Sequence, residues 1–168
     1  MGIFEALFLG ILQGIAEFLP ISSSGHLVLG ESLLGLDVES LKSFDVVVHL
    51  GTLTAIVVYF WKDVVMLFQG FFGFLGFYKT NSQIRESQKL ILYIIIASIP
   101  AVLAGIFLED VIDFWFRDVF YVGLWMIIVG EVFFLAEWYA KKYETKKDLN
   151  YISIVIIGLA QAAALIPG

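Results

Sequence analysis

Long stretches without a charged residue constrain the fold of this chain more than any other feature of its sequence. Such stretches include residues 64–78, 90–108, 119–130 and 149–168. Several approach the length of about 20 apolar residues that a helix needs to cross a bilayer. The runs are continuous and lack the apolar and polar alternation of a membrane β-barrel strand. The sequence therefore predicts an all-α, polytopic membrane protein.

The composition excludes several classes of protein. Hydrophobic residues make up 60% of the 168 residues and charged residues 15%, which is far from the composition of a soluble globular enzyme. The chain has no cysteine, so disulfides, thiolate nucleophiles and thiolate metal sites are excluded. The net charge is -6 and no basic face is evident, so nucleic acid is not expected as a partner.

The N-terminal segment, residues 3–36, is interrupted by a proline and a polar loop. Its first helix carries Gln13 and Glu17 among apolar residues and is predicted to end before Pro20. A second helical piece, residues 26–36, is too short to cross about 30 Å of hydrocarbon. The two pieces predict a re-entrant hairpin. Irregular backbone at membrane depth needs protein or water to satisfy it, so the hairpin is expected to line an internal site.

The rest of the chain predicts three membrane spans within a single membrane domain over residues 1–168. The spans are placed at residues 44–61, 90–108 and 119–139, and a second hairpin is predicted to start within residues 151–168. The apolar residues 64–78 are open to two interpretations, because they could form a shallow helix or an additional span.

The distribution of Lys and Arg predicts the orientation of the spans. These residues cluster at residues 62–89 and 141–147, so both loops are predicted to be cytoplasmic. The first hairpin then enters the membrane from outside and the second from the cytoplasm, which is typical of inverted-topology repeats. A weak internal repeat agrees, because GILQ at residues 10–13 and GLAQ at residues 158–161 each precede a proline. The chain is predicted to hold the first part of such a repeat.

Three polar residues of the apolar helices, Gln13, Glu17 and His26, are candidates for chemistry. Gln13 and Glu17 are four residues apart and share one helix face. A carboxylate at membrane depth is a functional candidate, and a packing hydrogen bond to Gln13 is the alternative. His26 could act as a general acid, base or nucleophile, or be a buried hydrogen-bonded ring. His49 lacks an obvious partner in the sequence and is interpreted as a packing or hydrogen-bonding residue.

The polar loop is a candidate phosphate site. Ser22, Ser23, Ser24 and Gly25 precede a helix that is predicted to begin near His26. Free backbone N–H groups and the positive end of the helix dipole would then lie beside the hydroxyls, and such a loop can bind a phosphate. The alternative is a simple helix cap, with Ser24 as the N-cap and Gly25 as a turn residue.

Two longer stretches carry a resemblance to a known family. Residues 12–27 read LQGIAEFLPISSSGHL, and residues 44–53 read FDVVVHLGTL. The first stretch closely resembles the first signature of the undecaprenyl-diphosphate phosphatases, also called bacitracin-resistance proteins, and residues 59–62 and 99–101 fit the same family. The resemblance covers the whole chain. It implies an integral membrane hydrolase with an interdigitated inverted repeat.

The resemblance also implies an activity and a length. Members remove the terminal phosphate from undecaprenyl diphosphate, which regenerates the lipid carrier for cell-wall synthesis and gives resistance to bacitracin. The expected partners are this polyprenyl diphosphate lipid and the plasma membrane, which the protein would cross several times. A second family signature, PGxSRSGxT, begins with the two residues at which this sequence stops, Pro167 and Gly168. The chain is therefore expected to be an N-terminal portion of the enzyme.

The resemblance implies roles for individual residues. Gln13 and Glu17 match the (E/Q)xxxE positions, which are expected to serve a divalent cation and the diphosphate. Mg²⁺ or Ca²⁺ would suit oxygen ligands in a chain without cysteine. Ser23 is the implied nucleophile and His26 an implied acid or base, and the division of labour between these two residues is left open. Glu17, Ser23 and His26 are thus the predicted catalytic residues.

Other functions stay open on the sequence alone. Broken helices in inverted repeats are equally typical of secondary transporters and lipid flippases. An inactive portion of the enzyme that serves as a membrane scaffold is a third alternative. The oligomeric state cannot be read from the sequence, and a homodimer is among the alternatives.

Overall fold

The structure, a computed structural model, describes residues 1–19, 21–78, 81–116, 118–142 and 149–168, and it describes residues 109, 110 and 113–116 by their backbone alone. Pro20, Lys79, Lys146 and Lys147, which enter the sequence predictions, lie outside these ranges. Within them the chain is helical and has no strand. The elements are α1 (Ile3–Phe18), α2 (Ser23–Leu33), a 3-10 turn (Val38–Leu41), α3 (Lys42–Tyr59), α4 (Trp61–Phe74), α5 (Ser82–Phe116), α6 (Val119–Lys142) and α7 (Tyr151–Ala163).

Three of the described helical segments are long and apolar enough to cross a membrane. They are Val38–Tyr59, Ser82–Leu108 and Val119–Lys142. Large apolar side chains along them are exposed, for example Val58 at 70%, Ile106 at 68% and Phe134 at 72%. Continuous apolar surface of this extent needs an apolar surrounding. The prediction of an all-α, polytopic membrane protein is confirmed.

The observed helices extend beyond the charge-free stretches. Helix α5 begins at Ser82, before the predicted start at residue 90, and it continues through Pro100. The part of a helix that extends beyond the hydrocarbon core does not need apolar side chains. The ends of a charge-free stretch therefore mark where the helix leaves the hydrocarbon and not where the helix itself ends. Proline removes one helical hydrogen bond, which membrane helices tolerate where neighbouring groups satisfy the backbone.

Helix α4 resolves the ambiguity at residues 64–78. It has 14 residues, which correspond to about 21 Å at 1.5 Å per residue. This length is shorter than the hydrocarbon core of about 30 Å. The structure therefore favours a helix that does not cross the bilayer, and α5 carries the next span along the chain.

One compact unit comprises Met1–Thr52, Leu108–Asp148 and Ile166–Gly168. In it α2 packs against both α1 and α6. Helix α1 buries Leu9, Gln13 and Ala16, which share a face because they are spaced four and three residues apart. The core also includes residues of the neighbouring helices, among them Leu27 on α2 and Val122 on α6. This unit contains all the predicted catalytic residues.

A second compact unit comprises Leu53–Phe107 and Leu149–Leu165. Its helices approach closely at glycines. A Cβ atom added at Gly70 of α4 would lie 2.7 Å from the Cβ of Ser87, and one added at Gly158 of α7 would lie 2.6 Å from the carbonyl oxygen of Ala97. Such contacts through small residues are typical of helix pairs in membranes.

The re-entrant insertion of the hairpins and the inverted repeat stay predictions.

Candidate functional site

The carboxylate of Glu17, near the end of α1, is the centre of the candidate site. Its Oε2 accepts hydrogen bonds from Gln13 Nε2 at 3.0 Å and from Ser23 Oγ at 2.6 Å. The Nε2 atom of His49 lies 3.9 Å from the same oxygen. The Glu17 side chain is 29% exposed, so a ligand can contact it from the surface of the protein. Three of the sequence candidates, Gln13, Glu17 and Ser23, are thus brought together.

Gln13 is fully buried next to this carboxylate. The packing hydrogen bond considered as an alternative role is present, but it uses only the amide nitrogen. The amide oxygen, Oε1, is buried and has no hydrogen-bond partner among the described residues. A buried acceptor without a partner costs about 1–3 kcal/mol. The site therefore offers an oxygen that a cation or a donor group would stabilise.

Helix α2 begins earlier than the sequence indicated. Its N-cap is Ser22, whose Oγ accepts a hydrogen bond from the backbone N–H of Gly25 at 3.3 Å. The alternative with Ser24 as the cap is therefore wrong, because the left-handed backbone of Ser22, with φ of 66°, starts the helix there. Ser23, Ser24 and Gly25 lie in the first helical turn. In such a turn the leading N–H groups have no intrahelical acceptor, which is the geometry that binds anions.

His26 also lies in the first part of α2, with its ring held by the loop. Its Nδ1 atom is 2.8 Å from the carbonyl oxygen of Ser22. A carbonyl oxygen only accepts hydrogen bonds, so Nδ1 carries the proton and donates it. The Nε2 atom is left for acid or base chemistry, which agrees with the role that the resemblance implies.

Gly168 joins the same loop from a distant part of the sequence. Its backbone N–H donates to Ser22 Oγ at 3.1 Å, across 146 positions of the chain. The φ angle of Gly168 is 102°, and a Cβ atom there would lie 2.6 Å from the carbonyl oxygen of Val122. A Cβ atom at Gly25 would lie 3.3 Å from the Cα of Gly168. The approach of the two segments therefore requires glycine at Gly168 and leaves little room for a side chain at Gly25.

His49 lies beside the candidate site, a position that the sequence did not predict. It lies on α3, and its Nδ1 is 2.7 Å from the carbonyl oxygen of Asp45. Besides this hydrogen bond, which agrees with the role that the sequence suggested, its Nε2 lies 3.9 Å from Glu17 Oε2. One signal could have found it, because an ionisable residue inside a predicted span is by default a functional candidate.

The donor atoms around Glu17 fit a divalent cation. Across the described ranges, no three His, Cys, Asp or Glu side chains gather closely enough to hold a metal ion by themselves. A carboxylate and a buried amide oxygen without a partner are nevertheless the oxygen ligands that hard cations prefer. The remaining ligands would come from substrate oxygens or water, as is usual for Mg²⁺.

Comparison with known proteins connects this geometry to a family. The family model described as bacitracin resistance protein BacA matches residues 6–168. The chain belongs to this BacA family. Membership confirms the resemblance carried by residues 12–27, which build most of the site. No solved structure matches the chain significantly.

Relatives of this BacA chain carry the name undecaprenyl-diphosphatase. Those of Methanosphaera stadtmanae, Desulforudis audaxviator and Marinobacter nauticus are 37%, 40% and 42% identical to it. Each alignment covers 100% of this chain and between 61% and 63% of the relative. The chain therefore spans about three fifths of the length of the curated relatives it matches.

Proposed function

We propose that this protein hydrolyses undecaprenyl diphosphate to undecaprenyl phosphate and inorganic phosphate in the plasma membrane. The reaction recycles the lipid carrier for cell-wall synthesis and gives resistance to bacitracin. The observation that carries the proposal is the 2.6 Å hydrogen bond from Ser23 Oγ to the Glu17 carboxylate, formed in the first turn of a helix. The names of the relatives support the choice of substrate.

Ser23 and Glu17 have the arrangement of a nucleophile and its base. The hydroxyl proton points at Glu17 Oε2, so transfer of this proton leaves Oγ free to attack the terminal phosphorus. The bond between that phosphorus and the bridging oxygen breaks, and undecaprenyl phosphate leaves. Water then cleaves the phosphoserine, which returns the hydroxyl to Ser23 and releases phosphate.

The start of α2 supplies the electrostatic part of catalysis. Ser23 and Ser24 are the first two residues of α2, so their N–H groups have no intrahelical acceptor and lie where the helix dipole favours negative charge. Fixed donors of this kind stabilise the charge that develops on phosphoryl oxygens in the transition state. The Nδ1 atom of His26 is held by the Ser22 carbonyl oxygen. Its Nε2 atom would donate a proton to the leaving oxygen or accept one from the attacking water.

Glu17 and Gln13 would hold the divalent cation, Mg²⁺ or Ca²⁺ in the sequence prediction. When bound, this cation would neutralise charge on the diphosphate. Neutralisation matters at membrane depth, because an ionised carboxylate and a diphosphate both lose hydration there.

The test compares three serine and glutamate variants of the intact protein. Ser23→Ala removes the nucleophile and Glu17→Gln removes the base, so each is expected to lower kcat for undecaprenyl diphosphate by about a hundredfold or more. Ser32→Ala is the matched control, because Ser32 is on the same helix and is exposed. The measurement is phosphate release in detergent.

Two outcomes would contradict the proposal. Retained hydrolysis in both Ser23→Ala and Glu17→Gln would show that these residues do not carry the chemistry. Movement of the lipid across proteoliposome membranes without phosphate release would favour the transporter or flippase alternative.

A further inference from the structure

Helix α4 packs against α5 through its smallest residues. A Cβ atom at Gly70 would lie 2.7 Å from the Cβ of Ser87, and one at Gly73 would lie 2.9 Å from Ile84 Cγ2. Gly70, Ile84 and Ser87 are all buried. The later glycine of α4 meets the earlier residue of α5, so the two helices run antiparallel.

Four large apolar side chains of α4 point away from this contact. They are Phe68, Phe71, Phe72 and, at the C-cap, Leu75, here called the phenylalanine face. Their i, i+3, i+4, i+7 spacing places them on one side of a helix. At about 100° per residue, the centre of this face points about 180° away from the midpoint of the two glycines. The four side chains are between 40% and 61% exposed, so the stripe that an amphipathic helix normally buries is turned outward.

Helix α5 indicates how far the phenylalanine face lies from the hydrocarbon core. This helix carries a candidate span, and its charge-free stretch begins at residue 90. Ser87 and Ile84 precede that residue by about 4.5 and 9 Å along the helix. The headgroup layer is about 5–8 Å thick on each side of the hydrocarbon. The turns of α4 that meet these two residues therefore lie at the level of the lipid headgroups.

Two cations of α5 lie at the same level. Arg85 and Lys89 are four residues apart, so they share one helix face, and both are exposed. Over residues 62–89 the four basic residues outnumber the two acidic ones. Basic residues next to a bilayer are attracted to anionic headgroups. An apolar face beside cations fits an anionic lipid surface, which offers acyl chains to the first and phosphates to the second.

We infer that the phenylalanine face docks into the cytoplasmic leaflet, with its side chains among the acyl chains and with Arg85 and Lys89 on the phosphates of anionic lipids. The leaflet is the cytoplasmic one, because α5 begins in a basic loop. Insertion to the boundary between headgroups and acyl chains is typical of amphipathic helices. The inference is independent of the proposed reaction, since α4 belongs to the second compact unit and the predicted catalytic residues belong to the first.

Spin labels at single cysteines test the position of this face, because the chain has no cysteine of its own. The intact protein is labelled at Phe71→Cys and placed in vesicles of phosphatidylethanolamine and phosphatidylglycerol. Oxygen concentrates among acyl chains and a nickel chelate in water, so the relaxation that each causes reports the surroundings of the label. Phe134→Cys on the α6 span and Ser82→Cys at the start of α5 are the controls for hydrocarbon and for water, since both residues are exposed.

The label at residue 71 is expected to be relaxed more by oxygen than by the chelate, as at Phe134→Cys, whereas the order is reversed at Ser82→Cys. Chelate access equal to that at Ser82→Cys would show that the face lies in water and would overturn the inference. A label that neither reagent reaches would show that protein covers the face, a second copy included, and would overturn it as well.

The cations have a test of their own. Vesicles of phosphatidylcholine alone are compared with vesicles that also contain phosphatidylglycerol. Anionic lipid is expected to lower the chelate access at residue 71, and the double variant Arg85→Gln, Lys89→Gln is expected to lose this shift. Lys141→Gln is the matched control, because Lys141 is an exposed cation that pairs with Glu137 on α6. A shift that survives the double variant, or that the control also loses, would overturn the role of the two cations.

Discussion

At the scale of single residues, Ser22 determines the geometry of the loop. It is the non-glycine residue with positive φ in the described part of the chain. Its Oγ accepts hydrogen bonds from the N–H groups of Gly25 and Gly168, and its carbonyl oxygen holds the ring of His26. Ser22 therefore positions its neighbours. The sequence predicted that Ser22 binds phosphate, and its hydroxyl proton is the group that remains for such a hydrogen bond.

Removing the Ser22 hydroxyl is expected to destabilise the protein. Ser22→Ala leaves two N–H groups without their acceptor and keeps the left-handed backbone, so we expect a loss of about 1–2 kcal/mol. Ser22→Gly loses the same acceptor but adopts the backbone without strain, so it should retain more stability. The measurement is the thermal unfolding midpoint in detergent, with exposed Ser32→Ala as the control. A glycine variant less stable than the alanine variant would contradict the role of backbone strain.

At the scale of helices, α7 and α5 approach each other closely in the second compact unit. Gly158 lies against the backbone of α5, where a Cβ atom would be 2.6 Å from the carbonyl oxygen of Ala97 and 3.1 Å from Pro100 Cγ. Backbone atoms and a proline ring cannot rotate away as a flexible side chain can. The packing of α7 therefore depends on the absence of a side chain at Gly158.

Alanine at Gly158 is expected to separate these helices. Gly158→Ala should destabilise the protein by about 1–3 kcal/mol, as overpacking does. Gly105→Ala is the matched control on α5, because nothing lies within 4 Å of a Cβ atom there. Since alanine favours a helix over glycine by about 1 kcal/mol, this control should be neutral or slightly stabilising. Equal effects of both variants on the unfolding midpoint would contradict this packing.

At the scale of the whole molecule, the span count and the loop charges predict the orientation in the membrane. The described helices include three candidate spans, so the residues before the first span and after the third should lie on opposite sides. Lys141 and Lys142 end the third span. Positive charge is retained on the cytoplasmic side, which places Asp37 outside.

Cysteine labelling tests this orientation, because the chain has no cysteine of its own. In intact cells, Asp37→Cys is expected to react with a membrane-impermeant maleimide, and Lys142→Cys only after permeabilisation. The unaltered protein is the control for background. Labelling of Lys142→Cys from outside would reverse the orientation and place the first hairpin on the cytoplasmic side.

The class of the protein and the core of the site could be predicted from the sequence. The free energy of transferring a helix into the bilayer is roughly the sum over its residues. Charge-free stretches therefore identify membrane helices without any knowledge of how the helices pack. Gln13, Glu17 and Ser23 could be grouped because they lie within two helix turns and one loop, where local geometry determines which side chains meet. The predicted start of α2 was too late, because three consecutive serines can each cap a helix. Nothing in the sequence indicates that Ser22 is the one with a left-handed backbone.

Only the tertiary structure decided which distant residues complete the site. His49 meets Glu17 and Gly168 meets Ser22 because helices and chain segments far apart in sequence pack together in one unit. No periodicity records such packing, since it depends on the shapes of whole helix faces. The chemistry of residues 12–27 follows from their order in the chain, whereas the place of His49 beside the carboxylate follows from the fold.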